Sequence, residues 1–422
     1  MLDIKFIREN KDIIKEAARK KHVKFDVDEL LKIDESRREL LQAVEELRSK
    51  QNDVSRRIND VSEPERPFVI KEMQGVKEEL KTKEESLKHI MKDWQSLMLQ
   101  VPNIPDMSVP EGASDADNKE IRDWGEKPNF SFKPKNHIEL CELHDLADFE
   151  RGTKLSGFRG YVLKNEGALL EFALFQFVLD HFREKGFTPM IVPSLVRKEL
   201  LYGSGYLPQG EDDLYKTQDD DYLAGTGEVS SMGYYMNEVI PKEKLPMKFL
   251  AFSPCFRREA GSHGKDVKGL YRVHEFFKFE QIVLSEANHE MSVKFHEELT
   301  QNAEEMLQKL NIPYRVVVNC GGDLGLGQVK KYDIEAWRPS VEQYGETHSS
   351  SYFHDFQTRR LNIKYKDDDG ATRFAHSLNN TALAMPRFLI PLLENNQNED
   401  GSINIPEVLR AYVGGLHVIK KQ

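Results

Sequence analysis

The sequence predicts an α+β protein in which a long antiparallel coiled-coil hairpin precedes a larger domain of mixed helices and strands. Apolar residues repeat with heptad spacing over two consecutive stretches near the N-terminal end. Beyond residue 136, apolar runs with strand character alternate with helical patterns. A chain of 422 residues with 39% hydrophobic content can bury a large core, and its length suggests two or three domains.

The first heptad stretch begins near Asp28, and a break at Pro64 and Pro67 separates it from the second. Its core positions are Ile33, Arg37, Leu40, Val44, Leu47, Gln51, Val54, Ile58 and Val61, and those of the second are Met73, Val76, Leu80, Lys83, Leu87, Ile90, Trp94 and Leu97. Because only a short turn joins them, the two helices, about 28–62 and 68–100, must run antiparallel. At ~1.5 Å rise per residue the first helix is about 50 Å long, so we expect the hairpin to project.

The role of this hairpin stays open on residue chemistry alone, since a dimerisation or spacer element fits as well as an RNA-binding one. Between Arg48 and Lys92, eleven Lys and Arg stand against nine Asp and Glu, too small an excess to predict RNA binding. The net charge of −11 excludes a protein that coats nucleic acid indiscriminately. Any RNA contact must therefore come from local basic patches.

The cysteines and the hydropathy pattern indicate the compartment in which the protein is expected. Cys141, Cys255 and Cys320 lie far apart and form no CxxC pair, which argues against a disulfide framework and against a structural zinc site. No segment reaches the roughly 18 uninterrupted apolar residues that a membrane span needs. We therefore expect a cytoplasmic protein in a reducing compartment, without zinc and without a membrane partner.

Residues 106–135 are rich in Pro, Asp and Gly without periodicity, which predicts a linker. It would join an N-terminal domain, residues 1–105, to a second domain, residues 136–422. The second domain contains a helix predicted from about Gly167 to Lys185, with apolar residues over most of its surface. Such a helix is expected in a core or an interface.

Two runs with strand character, about Phe249 to Glu259 and Arg272 to Leu284, flank a polar Gly-rich loop and predict a long β-hairpin. Near-alternate spacing lets several side chains share one face of the hairpin, namely Arg257, Glu259, Arg272, Phe276 and Glu280. Arginine can bind phosphate and an aromatic ring can stack on a base, so a nucleotide site fits. Cross-strand ion pairs fit the charges equally well.

Two further groups of residues are candidates for a binding or metal site. Thr226 and Glu228 lie in a strand-to-helix turn, a pattern equally typical of an ordinary helix start. Glu346 and Ser349 offer hard oxygen ligands suited to Mg²⁺ shared with phosphate oxygens. His348 between them could bind metal, although a lone histidine is more often a core residue. The GGDLGLG run is not a dinucleotide loop, because strand-like YDIEAW follows it where a helix is required.

The order FRxEAGSxGxDxxGLxRxHxFxKxE, from Phe256 to Glu280, resembles the second signature motif of class II aminoacyl-tRNA synthetases in the form carried by seryl-tRNA synthetases. The segment from Gly186 to Pro193 is similar to the first class II motif. The segment from Phe374 to Arg387, interpreted as a strand followed by a helix that carries the arginine, is similar to the third. Ala382 replaces its usual Gly, and Pro386 precedes the arginine. The resemblance spans essentially the whole chain.

The resemblance implies a catalytic domain built on an antiparallel β-sheet with flanking helices. It implies an ATP-dependent ligase that activates L-serine to seryl-adenylate and transfers the seryl group to the 3′ end of tRNA(Ser), with tRNA(Sec) as a second candidate acceptor. ATP is then a substrate and Mg²⁺ a cofactor. The hairpin becomes a coiled-coil arm that reaches across a homodimer to hold the tRNA, and the first motif becomes the dimer interface.

The resemblance also assigns roles to individual residues. The catalytic residues are Arg257, Glu346 and Arg387. The serine-binding residues are Thr226, Glu228, Arg257, Glu280, Asn379 and Thr381. The ATP-binding residues are Arg257, Glu259, Arg272, Val273, Phe276, Glu346, Thr347, His348, Ser349 and Arg387. Glu346 and Ser349 would hold Mg²⁺, and Phe276 would stack the adenine opposite Arg387. The family's TxE usually has Ala where this chain has Gly227.

Two other functions remain compatible with parts of the sequence. An amino-acid-activating paralogue that loads another acceptor should lack the long arm, and the intact heptads count against it. A catalytically inactive tRNA-binding relative should have lost one of the key charged residues. Those residues, Arg257, Glu280, Glu346 and Arg387, are all present.

Overall fold

The computed structural model describes residues 1–261 and 268–421. The chain divides into two compact units. The helical unit comprises Leu2–Arg19 and Val23–Pro102, and the sheet unit comprises Met1, Lys20–His22 and Asn103–Gln422. No helix in the described part of the chain combines the length and the apolar character needed to cross a bilayer.

The helical unit contains α1 (Ile4–Glu9), α2 (Lys11–Lys20), α3 (Val27–Asp60) and α4 (Arg66–Gln100). Asp26 caps α3 by accepting hydrogen bonds from the first-turn amides of Asp28 and Glu29. Pro67 lies in the first turn of α4, where no intrahelical amide bond is lost. The paired helices α3 and α4 confirm the predicted hairpin, and Val54, Val69 and Met73 form a buried cluster near its turn.

The helices of the sheet unit are α5 (His137–Leu143), α6 (Phe149–Ser156), α7 (Asn165–Glu184), α8 (Lys198–Ser204), α9 (Gly227–Gly233), α10 (His289–Lys309), α11 (Phe356–Leu361), α12 (Leu389–Asn395) and α13 (Glu407–Arg410). Its central sheet has the order β1-β9-β10-β11-β14-β8-β7-β2. These strands are β1 (Lys119–Trp124), β2 (Thr188–Ile191), β7 (Met247–Phe256), β8 (Glu275–Ser285), β9 (Tyr314–Val318), β10 (Lys330–Arg338), β11 (Gln343–His354) and β14 (His376–Met385).

The central sheet is antiparallel except at its edge, where β2 runs parallel to β7. This confirms the α+β class and the antiparallel catalytic sheet that the resemblance implies. The remaining strands form smaller sheets of order β13-β12-β6, β15-β16 and β3-β5-β4. They are β3 (Leu195–Val196), β4 (Tyr215–Lys216), β5 (Tyr222–Leu223), β6 (Val239–Pro241), β12 (Lys364–Lys366), β13 (Thr372–Phe374), β15 (Ile403–Asn404) and β16 (Val418–Ile419).

The two faces of the central sheet differ in chemistry. On one face, Phe279 packs among aromatic rings that include Phe175 of α7, and Gln281 donates to the Leu299 carbonyl of α10. Phe276 and Glu280 alternate with these residues along β8 and therefore point to the opposite face. That opposite face carries the candidate site.

Two elements differ from their sequence prediction. Residues 106–135, predicted as a linker, include β1, which pairs with β9 as an edge strand of the sheet. The predicted strand from Phe374 to Leu378 is divided, since Phe374 ends β13, and β14 begins at His376 and continues to Met385 because its pairing with β8 extends that far. The prediction that Arg387 lies on a helix is therefore wrong. The arginine lies between β14 and α12, after Pro386, which has no amide hydrogen to extend the strand.

Candidate active site

Two adjacent strands, β8 and β14, place three of the predicted serine-binding residues side by side. Glu280 of β8 lies opposite Thr381 of β14 and opposite Ala251 of β7. Asn379 lies two residues before Thr381 and shares its face of the sheet. Glu280, Thr381 and Asn379 are all buried. The structure thus brings together residues that lie about a hundred positions apart in the chain.

Thr226 and Glu228 approach this face from α9. Thr226 is the N-cap of the helix, and its hydroxyl accepts a hydrogen bond from the Glu228 amide. The Glu228 carboxylate accepts hydrogen bonds from the Tyr206 hydroxyl at 3.0 Å and from the Gln357 amide at 2.6 Å. Burial raises the pKa of Glu228, while the donors Gln357, Tyr206 and Asn379 oppose that rise. The result is a buried carboxylate held in a fixed orientation.

Glu280 is the second buried carboxylate of this pocket. The Lys278 ammonium lies 2.5 Å from its Oε2 atom. Burial raises the pKa of Glu280 to about 7, Lys278 opposes the rise, and the nearby charge of Glu228 adds to it. The pocket therefore presents two carboxylates to any ligand that carries an ammonium and a hydroxyl.

A cluster of arginines lies beyond the end of the β7–β8 hairpin. The Arg257 guanidinium lies over the Phe276 ring, 5.3 Å from its centroid, and its Nε atom donates to the Gly225 carbonyl. Arg272 donates to the Glu259 carboxylate at 3.0 Å. Burial by itself would raise the pKa of Glu259. The hydrogen bond from Arg272 and the charges of Arg257, Arg272 and Arg387 outweigh this effect and lower the pKa. These groups form one electropositive region suited to phosphate.

Arg387 extends this region toward β11. Its guanidinium lies 4.6 Å from the centroid of the Tyr271 ring, its Nε atom donates to the Tyr271 carbonyl, and its Nη1 atom lies 3.7 Å from Glu346 Oε2. The cation in contact with Phe276 is Arg257. The expected sandwich of an adenine between Phe276 and Arg387 stays a prediction.

A β-bulge on β11 brings Glu346 and Ser349 to the same face of the sheet. Side chains three positions apart point to opposite faces in a regular strand. Here Ser349 lies opposite Asp333 and Glu346 lies opposite Glu335, so three steps on β11 match two on β10. The extra residue, Thr347, restores a common face for the two predicted metal ligands.

The donor set at this bulge fits Mg²⁺. Glu346 and Ser349 supply hard oxygens, and the Glu346 side chain is 45% exposed, so it can reach a bound ion. The described part of the chain contains no cluster of three or more His, Cys, Asp or Glu side chains around one point. Glu346 and Ser349 would leave room for the waters or substrate phosphates that Mg²⁺ usually keeps in its shell.

Thr347 and His348 have buried side chains. The Thr347 hydroxyl donates to the Ile334 carbonyl, and its oxygen lies 2.9 Å from the Nδ1 atom of His348. Burial lowers the pKa of His348 to about 4, so the ring is neutral near pH 7. Because these side chains are buried, any contact of Thr347 and His348 with ATP would be made by their backbone atoms. Their role in ATP binding stays a prediction.

Several residues of the site were missed by the sequence analysis. Tyr206 and Gln357 hold Glu228, and Asp333 accepts from Asn319 at 2.7 Å beside Ser349. Lys278 is one of the residues of the class II motif from Phe256 to Glu280, but no role was predicted for it. The alternation of strand residues could have indicated that Lys278 faces the site, because Phe276 and Glu280 lie two residues before and after it. Residues 262–267, which carry part of the motif's loop, lie outside the described residues.

Both the N-terminal part and the sheet unit of the chain are similar to known proteins. Residues 1–105 match the family model for the seryl-tRNA synthetase N-terminal domain. Residues 214–396 match the model for the class II tRNA synthetase core domain of the G, H, P, S and T group. The serine–tRNA ligase of Deinococcus radiodurans is 46% identical over 99% of both chains, and that of Dictyoglomus turgidum is 42% identical over 98% of both.

Two solved structures are similar over the full length. The seryl-tRNA synthetase of Pyrococcus horikoshii, complexed with ATP, superposes with a TM-score of 0.91 at 39% identity and covers 100% of both chains. The cytoplasmic serine–tRNA ligase of Naegleria fowleri, in complex with AMP, gives a TM-score of 0.87 at 32% identity. That match covers 100% of this chain and 99% of the other.

Proposed function

This chain belongs to the seryl-tRNA synthetase family, and we propose that it joins serine to tRNA(Ser) through the residues brought together on the polar face of its sheet. In the first step the serine carboxylate attacks the α-phosphorus of ATP, giving seryl-adenylate and pyrophosphate. In the second step the terminal ribose hydroxyl of the tRNA attacks the seryl carbonyl, and AMP leaves. tRNA(Sec) is a second candidate acceptor.

The observation that carries this proposal is the pairing of two buried carboxylates in one pocket. Glu280, with Thr226, would hold the serine ammonium, and Glu228, with Asn379 and Thr381, would surround the hydroxyl. Alanine leaves the polar groups around the hydroxyl unpaired, and a site of this type can discriminate by about 10⁴-fold or more. The fixed carboxylate of Glu228, held by Tyr206 and Gln357, supports this role.

The arginine cluster supports the first chemical step. A carboxylate is already a nucleophile, so catalysis needs alignment and charge neutralisation rather than a general base. Arg257 would bind the serine carboxylate and the α-phosphate, Arg272 would steady the phosphates, and Arg387 would bind the γ-phosphate end. Glu259 and the backbone at Val273 would read the amino edge of the adenine.

Phe276, partly covered by Arg257, would stack on the adenine ring. Bound Mg²⁺ would neutralise charge on the triphosphate, and Glu346 and Ser349 would hold it. Their shared face at the bulge of β11 supports this assignment. Asp333, paired with Ser349 across the two strands, would orient that hydroxyl.

We also propose a homodimer formed through α7 and β2. The edge strand β2 leaves one row of backbone groups without a partner strand in this sheet, and its Ile191 side chain is 88% exposed. Phe172 of α7 is 69% exposed, beside an apolar cavity of about 800 Å³ that Phe175 also lines. A second copy of the chain would cover this surface. Sedimentation should then report about twice the 48.8 kDa chain mass.

The paired helices α3 and α4 are proposed to hold the tRNA backbone in a cytoplasmic setting. Eleven Lys and Arg between Arg48 and Lys92 supply the phosphate contacts.

The substrate assignment is tested by ATP–pyrophosphate exchange with serine, threonine, alanine and glycine. We expect exchange with serine far above the others. Equal exchange with alanine would end the assignment of serine.

A further inference from the structure

Lys278 lies at the centre of the row of side chains that β8 presents to the site. Phe276, Lys278 and Glu280 alternate along the strand and share one face. Ser253 of β7 and Ala384 of β14 lie opposite Lys278 on its two sides. Small neighbours on both strands leave room for the long lysine side chain to extend along the sheet toward Glu280.

The contact between Lys278 and Glu280 is buried. Their side chains are only 7% and 4% exposed, and the ammonium lies 2.5 Å from Glu280 Oε2. A carboxylate removed from water becomes neutral unless a positive charge compensates it. An ion pair at this depth is therefore expected to decide whether Glu280 is ionised before any substrate arrives.

The other groups around Glu280 do not replace this lysine. Glu228 of α9 adds negative charge. Cys255 of β7, and Tyr206, which follows α8, are neutral near pH 7 because burial raises the pKa of each. Arg257 adds positive charge from beyond β7, but its Nε atom is engaged with the Gly225 carbonyl and its plane covers Phe276. Lys278 is the cation in direct contact with the carboxylate.

We propose that Lys278 is a positioning residue for the amino acid, holding Glu280 ionised and oriented so that the serine ammonium meets a carboxylate. This role rests on the proposed function, in which Glu280 binds that ammonium. Lys278 itself contacts neither ATP nor serine in this account. Its effect on the reaction passes entirely through Glu280.

The pH dependence follows from the position of this pair. Burial raises the pKa of Glu280 to about 7 even with Lys278 beside it. Without the lysine charge the pKa of Glu280 must rise further, so the carboxyl is protonated at neutral pH. Serine binding should then be weak near pH 7 and recover as the pH rises and the proton leaves.

The first experiment measures the KM for serine in pyrophosphate exchange for Lys278→Met, Lys278→Gln and Lys278→Arg. We expect the KM of the two neutral variants to rise about fivefold near pH 7, since a rise of about one unit in the pKa of Glu280 lowers its ionised fraction from about one half to about one eleventh, and by a smaller factor near pH 8.5. The KM for ATP should stay within about twofold, and Lys278→Arg should recover most of the loss. Lys278→Gln keeps a polar side chain in case Lys278→Met does not fold.

Lys248→Met is the matched control. Lys248 also lies on the central sheet and also places its ammonium 2.5 Å from a carboxylate, that of Glu298, but this pair lies outside the site. Its loss should leave the KM for serine unchanged at both pH values. An equal rise in the control and in the Lys278 variants would show general loosening of the sheet and overturn the proposal.

A double-mutant cycle with Glu280→Gln separates this role from direct substrate contact. If Lys278 acts only through Glu280, adding Lys278→Met to Glu280→Gln should change serine exchange by less than about twofold. An undiminished effect in the Glu280→Gln background, or a rise in the KM for ATP, would assign Lys278 to the substrate and contradict the proposal. Failure of the proposed function would instead appear as absent serine exchange in the unmodified protein.

Discussion

In the helical unit the ion pairs between α3 and α4 lie at the surface, whereas in the sheet unit the Lys278–Glu280 pair of the proposed serine pocket is buried. Arg48 and Glu84, which join the two long helices, are 61% and 41% exposed. Lys278 and Glu280 are 7% and 4% exposed. Surface pairs contribute little stability and leave their charges available to a partner, while buried pairs hold groups in a fixed geometry.

This difference corresponds to two kinds of substrate. An RNA backbone is a long polyanion that is bound by many exposed positive charges, each contributing modestly and each weakened by salt. Serine and ATP are small, and their activation needs a few charges aligned before they bind. The proposed division is that α3 and α4 hold the RNA and the polar face of the sheet performs the chemistry.

The largest expected effect of a single substitution is at Arg257. Arg257→Ala should lower serine-dependent pyrophosphate exchange by about 10³-fold, because one preorganised positive group at the reacting phosphate is lost. The matched control is Arg258→Ala, since Arg258 is the next residue and is exposed. The control should stay within about twofold of the parent. Equal losses in both variants would remove Arg257 from the proposed chemistry.

The second effect distinguishes the two units by acid sensitivity. Burial lowers the pKa of His296 and of His348 to about 4, against about 6.5 in an unfolded chain. Between these values the unfolded chain binds more protons, so stability is present above about pH 6.5 and is lost as the pH falls toward 4. These two histidines together should contribute a loss of about 4 kcal/mol to the stability of the sheet unit between pH 7 and pH 5.

Urea unfolding followed by tryptophan fluorescence measures this loss. Trp94 lies in α4, whereas Trp124 and Trp337 lie in the sheet unit, so a Trp94→Phe variant reports the sheet unit alone. Circular dichroism of the same samples follows the long helices. We expect the fluorescence transition to move to lower urea at pH 5. A fluorescence transition that is independent of pH would show that these histidines are not held neutral.

The smallest effect is expected at the surface pair of α3 and α4. Arg48→Ala should change the free energy of unfolding by less than about 1 kcal/mol, because an exposed ion pair is largely compensated by water. The same substitution should lower tRNA affinity more at low salt than at high salt if Arg48 contacts phosphate. Glu84→Ala controls for loss of the pair itself. A salt-independent effect on binding would argue against a phosphate contact.

The sequence predicted the two long helices closely, because a heptad pattern over about thirty residues determines helix, face and direction together. It also predicted Thr226 as a residue at the start of α9, since a hydroxyl followed by an acid is a common cap. It missed the role of residues 119–124 in the sheet, because that polar segment becomes a strand only through pairing with β9.

Long-range pairing also explains what the sequence could not predict in the site. The bulge at Thr347 depends on the register between β10 and β11, which no local pattern specifies. The full length of β14 depends on its pairing with β8, so Arg387 was assigned to a helix. The contacts of Glu228 with Tyr206 and Gln357 join segments far apart in the chain. Family resemblance supplied the candidate site residues, and the fold shows their contacts.

The division of labour is tested most directly by two assays on one shortened chain. Replacing residues 48–84, whose end residues Arg48 and Glu84 pair across the hairpin, with a short Gly-Ser turn removes the outer part of both α3 and α4 and none of the residues assigned to serine, ATP or Mg²⁺. Serine-dependent pyrophosphate exchange should stay within about threefold of the parent, while kcat/KM for transfer to tRNA(Ser) should fall by about 10²-fold or more as phosphate contacts are lost. Unchanged transfer with collapsed exchange would show that the hairpin braces the sheet unit and does not hold the RNA.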